Sequence, residues 1–109
     1  LKTKMLLGTL LVFVALAGTA QAFQWHLSYY RAKAATKDAE KRICEGDGQC
    51  IAYGASCERI SESRIDCVGG TVYETKFGQE ECQAVFHWGV GPGGYATLHV
   101  GQPHCYSLE

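Results

Sequence analysis

No stretch of this 109-residue chain reaches the roughly 18 consecutive apolar residues that carry a helix across a bilayer. Nor is there an excess of positive charge, since 10 Lys and Arg stand against 11 Asp and Glu. Without that excess there is no counterion-release drive toward nucleic acid and no attraction to anionic lipid, so neither is an expected partner. The C-x-x-C of a disulfide oxidoreductase does not occur, and neither does the G-x-S-x-G elbow of a serine hydrolase. The glycine-rich run GVGPGG lacks the helix with Lys and Ser or Thr that a phosphate cradle needs. Glu80 and Glu81 are adjacent, so they point to opposite sides of a strand and do not act together as acid and base. These absences argue against an enzyme, and no residue is read as catalytic, cofactor-binding or metal-ligating.

What is present starts with an export signal. Lys2 and Lys4 precede an apolar run from Met5 to Ala17, and Ala20-Gln21-Ala22 supplies the small-x-small pattern of a signal peptidase site. Residues 1–22 are therefore read as a cleaved signal peptide that leaves no stable membrane anchor. Residues 23–109 form a single small domain, secreted or retained in the periplasm or cell envelope. In that domain 8 Lys and Arg face 11 Asp and Glu, a net charge of −3 with neutral histidines. A chain this short buries a low fraction of its surface, and exported domains of this size compensate with disulfides.

All six cysteines, Cys44, Cys50, Cys57, Cys67, Cys82 and Cys105, lie in that domain. An even count in an exported chain reads as three disulfides, whose connectivity spacing alone does not resolve. The separations of five, six, nine, 14 and 22 residues contain no C-x2-C pair of the zinc type. A Cys/His cage drawing on His87, His99 or His104 is therefore the lesser reading. With every cysteine paired, no thiolate is left as a nucleophile.

Ser28 caps an expected helix, LSYYRAKAATKDAEKRIC, in which Ala32, Ala35, Ala39 and Ile43 share one face and Lys33, Lys37 and Lys41 another. Gly46 and Gly48 end it. A face of alanines packs closely, and a sheet is the partner the remaining chain offers. Residues 50–60 read as a strand with a bulge or bend at Gly54, and residues 64–75 as a second with a break at Gly69-Gly70. KFGQ turns into ECQAVFHWGV, with Cys82, Ala84, Phe86 and Trp88 on one face and Gln83, Val85 and His87 on the other. GPGG turns into YATLHV, where Ala96, Leu98 and Val100 alternate with Tyr95, Thr97 and His99. The tail GQPHCYSLE is short and polar, tethered at Cys105. The fold class is α+β: one N-terminal helix on an antiparallel meander of about four strands, crosslinked by disulfides.

The stretch CERISESRIDC poses a question of register. With Ser61 to Arg64 as a four-residue loop, Ile60 faces Ile65 and Arg59 faces Asp66, which puts Cys57 and Cys67 on opposite faces. A slip by one residue makes the cysteines direct neighbours, but it opposes Glu58 to Asp66 and separates the isoleucines, unless a bulge reconciles both. Pair energetics favour the first register.

The same stretch resembles a C-x-R-x-S-x-x-R-[VI]-x-C segment of small exported proteins, especially actinobacterial ones, to which no activity is attached. The pattern falls on Cys57, Arg59, Ser61, Arg64, Ile65 and Cys67, and the similarity covers roughly Arg31 to Val100. Some of those proteins carry only these two cysteines. The resemblance therefore implies a Cys57–Cys67 bridge, with Cys44–Cys50 and Cys82–Cys105 as the local complements.

Two features invite a binding role. The loop Gly89, Val90, Gly91, Pro92, Gly93, Gly94 reads as a hairpin loop able to insert into a partner's groove. The aromatics Phe23, Trp25, Tyr29 and Tyr30 read as a cover over the core, with Trp25 and one tyrosine packed inward, or else as a contact patch. The function this supports is an exported, non-enzymatic binding or envelope-associated structural module with a protein or small-molecule partner. The alternative is an inhibitor of a secreted hydrolase, because helix plus meander is similar in outline to the cystatins, although their Q-x-V-x-G has no counterpart here. A hydrophobic ligand between helix and sheet is a third reading, with Tyr53, Tyr73, Phe86 and Trp88 as the side chains that would otherwise fill that space.

Overall fold

The computed structural model of the chain describes residues 21–108. Most of the expected signal peptide, residues 1–20, lies outside the described residues; Gln21 and Ala22 open the first strand. In chain order the elements are β1 (Gln21–His26), α1 (Tyr29–Glu45), β2 (Cys50–Ser61), β3 (Arg64–Thr75), β4 (Gly78–Val90), β5 (Tyr95–Val100) and β6 (His104–Ser107). The strands form one antiparallel sheet in the order β1-β5-β4-β3-β2. β4 has two partners in line on its other edge: β6 beside Glu80–Gln83 and β5 beside Phe86–Val90. The helix packs on one side of β2 and β3, so the architecture is one helix on an antiparallel sheet.

The four expected strands are all present, and the sheet gains two more. β1 places Phe23 and Trp25 inward with Gln24 outward, a period-two pattern that the expected cleavage site obscured. β6 is exposed at all four positions and so offers no hydrophobic alternation to read. It is held instead by the Cys82–Cys105 bridge and by Tyr106, whose hydroxyl donates to Glu81 Oε1 at 2.8 Å. Lys76 and Phe77 make the β3–β4 turn, closed by Gly78 at φ 116°, a conformation that favours glycine.

Ser28 caps α1 as expected, its hydroxyl accepting from the Arg31 N–H at 3.2 Å. The buried face differs from the alanine stripe. Ala32, Thr36, Glu40 and Cys44 point to the sheet, Ala35 and Ala39 flank them, and Ile43 is 52% exposed. Polar contacts set this rotation. Trp88, 1% exposed, donates its indole N–H to Thr36 Oγ1 at 2.9 Å, and that hydroxyl donates onward to the Ala32 carbonyl at 2.8 Å. Around this anchor pack Ile65, Cys67, Phe86, Ala96 and Leu98. Phe23 and Trp25 close the core, with ring centroids 5.1 and 5.2 Å from Trp88. Trp25 thus packs inward, but neither tyrosine joins it: Tyr30 is 80% exposed, and Tyr29 lies at the surface with its hydroxyl on the Cys57 carbonyl. Phe86 and Trp88 fill the space between helix and sheet.

The register favoured on pair energetics is overturned. Cys57 lies opposite Cys67, Glu58 opposite Asp66, and Arg59 opposite Ile65. Ile60 is the extra residue of a bulge, and the turn shrinks to Glu62 and Ser63. Arg59 does not pair with Asp66; its guanidinium donates to the carbonyls of Ser61 and Glu62 and fastens the turn. Gly54 is no bulge, since it sits in register opposite Gly70, and Gly69-Gly70 does not break β3. Gly69 permits a close approach by the helix: a Cβ there would meet Glu40 Cγ at 2.8 Å and Oε2 at 2.6 Å.

Three disulfides join Cys44 to Cys50, Cys57 to Cys67 and Cys82 to Cys105. The first ties the end of α1 to β2, the second lies under the helix between β2 and β3, and the third fastens the tail strand. Closing loops of sequence separation 6, 10 and 23 stabilises the fold by roughly 2, 3 and 3.5 kcal/mol in the chain-entropy account.

Replacing Gly69 with Ala should destabilise the domain by about 1–3 kcal/mol, because the methyl group drives into Glu40. Adding Glu40→Ala should recover most of that loss. Urea unfolding of the two single variants and the double variant checks it; purely additive effects would mean that helix and sheet do not meet at this pair.

Candidate functional site

A single helix covers one side of the sheet, and the other side faces solvent. The outward residues follow from the strand phase: with Cys67, Trp88 and Leu98 inward, Asp66, His87 and His99 point out. Register aligns them in a row across four strands, Glu58 beside Asp66, Asp66 beside His87, and His87 beside His99.

Two carboxylates directly opposite each other repel, and the neighbours of Asp66 offset this. Arg64, two residues earlier on the same strand, grips both its oxygens, Nε to Oδ1 at 3.1 Å and Nη2 to Oδ2 at 3.0 Å. His87 Nδ1 lies 3.1 Å from Oδ1. The hydrogen bond from Arg64 holds the Asp66 carboxyl below the usual carboxylate range, and the contact with His87 adds to it against the effect of partial burial. The His87 and His99 rings lie nearly parallel, with centroids 6.2 Å apart.

Glycines on this face leave hollows. Gly89, opposite Thr97, floors one of about 460 Å³, lined by Ser61, Ser63, Arg64, His87, Thr97 and His99. Gly54 and Gly70, facing each other, open another of about 320 Å³ between Ser56, Val68, Val72 and Gln83. The first hollow borders the charged row. There an Arg–Asp pair, two imidazoles and several hydroxyls converge, a mixture able to orient a polar ligand by hydrogen bonds.

The expected interaction loop lies at one end of the sheet. Gly89 and Val90 belong to β4, and the turn proper runs from Gly91 to Gly94. It is tied down. Gly91 N–H donates to the Tyr95 carbonyl at 2.8 Å, His26 Nε2 donates to the Gly93 carbonyl at 3.2 Å, and the His26 ring stacks on Tyr95 with centroids 4.7 Å apart. All six cysteines are bridged. Glu80 gathers with Cys82 and Cys105, but those sulfurs are bonded to each other and supply no thiolate ligand. Sequence reasoning placed His87 and His99 on the strand faces opposite Trp88 and Leu98 but did not say which face is outward and did not join them to Asp66. That step needs the β3–β4–β5 register, which the turns at Lys76-Phe77 and Gly91–Gly94 set.

Three disulfides mark an oxidising, extracellular type of environment. No helix among the described residues is long and apolar enough to cross a membrane. No protein-family model, curated protein or solved structure matches the chain.

Two carboxyls should give the domain opposing pH responses. Asp66 has a folded pKa below its ordinary 3.8, so its stabilisation is present above that value and is lost as pH falls through the folded pKa. Asp66→Asn should therefore destabilise at neutral pH, and the difference should vanish in strong acid. Glu40 is 4% exposed, and burial raises its pKa above 4.5, so its favourable protonated state is fully present below 4.5 and is lost as pH rises through the folded pKa. Glu40→Gln should stabilise at neutral pH and match the parent in acid. Unfolding midpoints across pH test both; a pH-independent difference in either variant contradicts the assignment.

Proposed function

We propose that this protein is an exported, non-enzymatic binding module, operating in the cell envelope or beyond it, whose partner docks on the uncovered side of the sheet. One observation carries the reading: the fixed row of Asp66, His87 and His99 beside the hollow over Gly89. The Asp66–Arg64–His87 cluster is held by three hydrogen bonds of 3.1 Å or less on the face of the sheet away from the helix, so core packing does not account for it. A preorganised polar surface of this kind loses little side-chain freedom on binding. The crosslinks support export, since a domain this small relies on them outside a reducing compartment. The signal-like N-terminus and the resemblance to small exported proteins point the same way.

A second reading, inhibition of a secreted hydrolase, is favoured by the tied-down Gly91–Gly94 turn. An inhibitory wedge gains affinity by being rigid before it binds. His26 and Tyr95 give that rigidity here.

Expression with export into an oxidising compartment should yield a mature chain starting at Phe23 and six hydrogens lighter than the reduced form. Screening it by amide chemical-shift changes against a small-molecule library and envelope extracts should concentrate perturbations at Ser61, Ser63, Arg64 and Thr97. Perturbations confined to Gly91–Gly94, with inhibition across a protease panel at micromolar concentration, would favour the inhibitor. No perturbation on the outer face with any fraction would remove the binding reading.

A further inference from the structure

We infer that His87 and His99 form a binding site for a divalent transition-metal ion of the imidazole-preferring type, Cu²⁺, Ni²⁺ or Zn²⁺. The inference deepens the binding reading of the same face, on which it rests, by naming a ligand class for it. The two residues are direct cross-strand partners on β4 and β5. Same-face partners of an antiparallel pair have Cβ atoms about 4.5–5.5 Å apart, within reach of two imidazoles sharing one ion. Their ring centroids lie 6.2 Å apart, and with His87 held on Asp66 it is the exposed His99 ring that would turn to share an ion.

The carboxylate of Asp66 supplies the second element of the argument. An acceptor 3.1 Å from His87 Nδ1 fixes the proton on that nitrogen, because an unprotonated Nδ1 would set its lone pair against the carboxylate. The other nitrogen, Nε2, then carries its lone pair on the far side of the ring. This is the carboxylate–histidine arrangement that orients metal-ligating imidazoles and raises their basicity. Arg64 Nη2, 3.4 Å from the same Nδ1, is in that tautomer a neighbour and not a donor. Its charge is matched by the two Asp66 oxygens it grips.

Two protein ligands leave coordination positions open, and the hollow over Gly89 is where water or a ligand donor would fill them. Thr97 and Ser63 border it. Imidazole donors favour Cu²⁺ over Ni²⁺ and Zn²⁺, and they discriminate against Mg²⁺ and Ca²⁺, which prefer oxygen. Asp66 is a positioning residue here, acting through His87.

The test titrates the oxidised, folded protein with ZnCl₂ and CuSO₄ at neutral pH, following the histidine ring signals and the heat of binding. Saturable one-to-one binding is expected, with shifts or paramagnetic broadening at His87 and His99 and none at His104 on β6. His99→Gln, a surface substitution, should weaken binding at least about tenfold, and Asp66→Asn by about 10–100-fold. His104→Gln should leave it unchanged, and MgCl₂ should not compete. Binding that survives His99→Gln, or that follows His104, would overturn the site, as would no saturable binding at millimolar metal. An Asp66→Asn variant that binds normally would overturn the positioning role. Should the metal fail while the library screen still maps ligands to Ser61, Arg64 and Thr97, the metal inference alone falls.

Discussion

The indole of Trp88, seated between helix and sheet with its N–H on Thr36, orients both layers of the molecule. Its hydrogen bond fixes the rotation of α1, which brings Glu40 over Gly69 and turns Ile43 to solvent. Its position in β4 fixes the phase of that strand, so His87 must face outward. Phe23 and Trp25 then close over the same ring and recruit β1 to the sheet edge beside β5. Truncating such a side chain to Ala costs about 3–5 kcal/mol in typical cores, a large share of what a domain of this size has to lose.

The disulfides complement this anchor. One helix carrying small side chains covers only part of one sheet face, so the apolar area buried per residue is modest. The bridges act where the packing thins. Cys44–Cys50 holds the far end of the helix, Cys57–Cys67 holds β2 in register at the sheet edge, and Cys82–Cys105 holds a strand with no buried residue. A domain stabilised in this way does not need its outer face for the core. That face is free to carry a charged row and two glycine-floored hollows, and the binding and metal readings both follow from this freedom.

Much of this was legible before the structure. The Ser28 cap, the alternation in residues 82–88 and 95–98, and the turn at KFGQ are local signals, and local physics decides them. The register of β2 against β3 was not legible. Counting pairs favours Ile60 with Ile65 and Arg59 with Asp66, whereas the chain bulges at Ile60, sends Arg59 to the turn carbonyls and surrounds Asp66 with Arg64 and His87. A like-charge opposition is tolerated because Arg64, two residues away on the same strand, grips both Asp66 oxygens and His87 of a third strand adds a contact, and counting opposed pairs across one hairpin shows neither. The helix face was misread for a similar reason: alanine spacing is visible in sequence, but the acceptor that a distant Trp requires, and the missing side chain at Gly69, are not. The site shares this character, since Asp66, His87 and His99 lie far apart in sequence and meet only through two consecutive registers.

Hydrogen exchange of the two indole N–H groups, followed by nuclear magnetic resonance, tests the central role of Trp88 most directly. The Trp88 indole proton, buried and donated to Thr36, should exchange only with global unfolding, at the rate of the slowest core amides. The Trp25 indole proton, half-buried at the sheet edge, should exchange orders of magnitude faster. Rapid exchange at Trp88 in the folded, fully crosslinked protein would contradict the account, because helix rotation and strand phase would then lack the contact that fixes them.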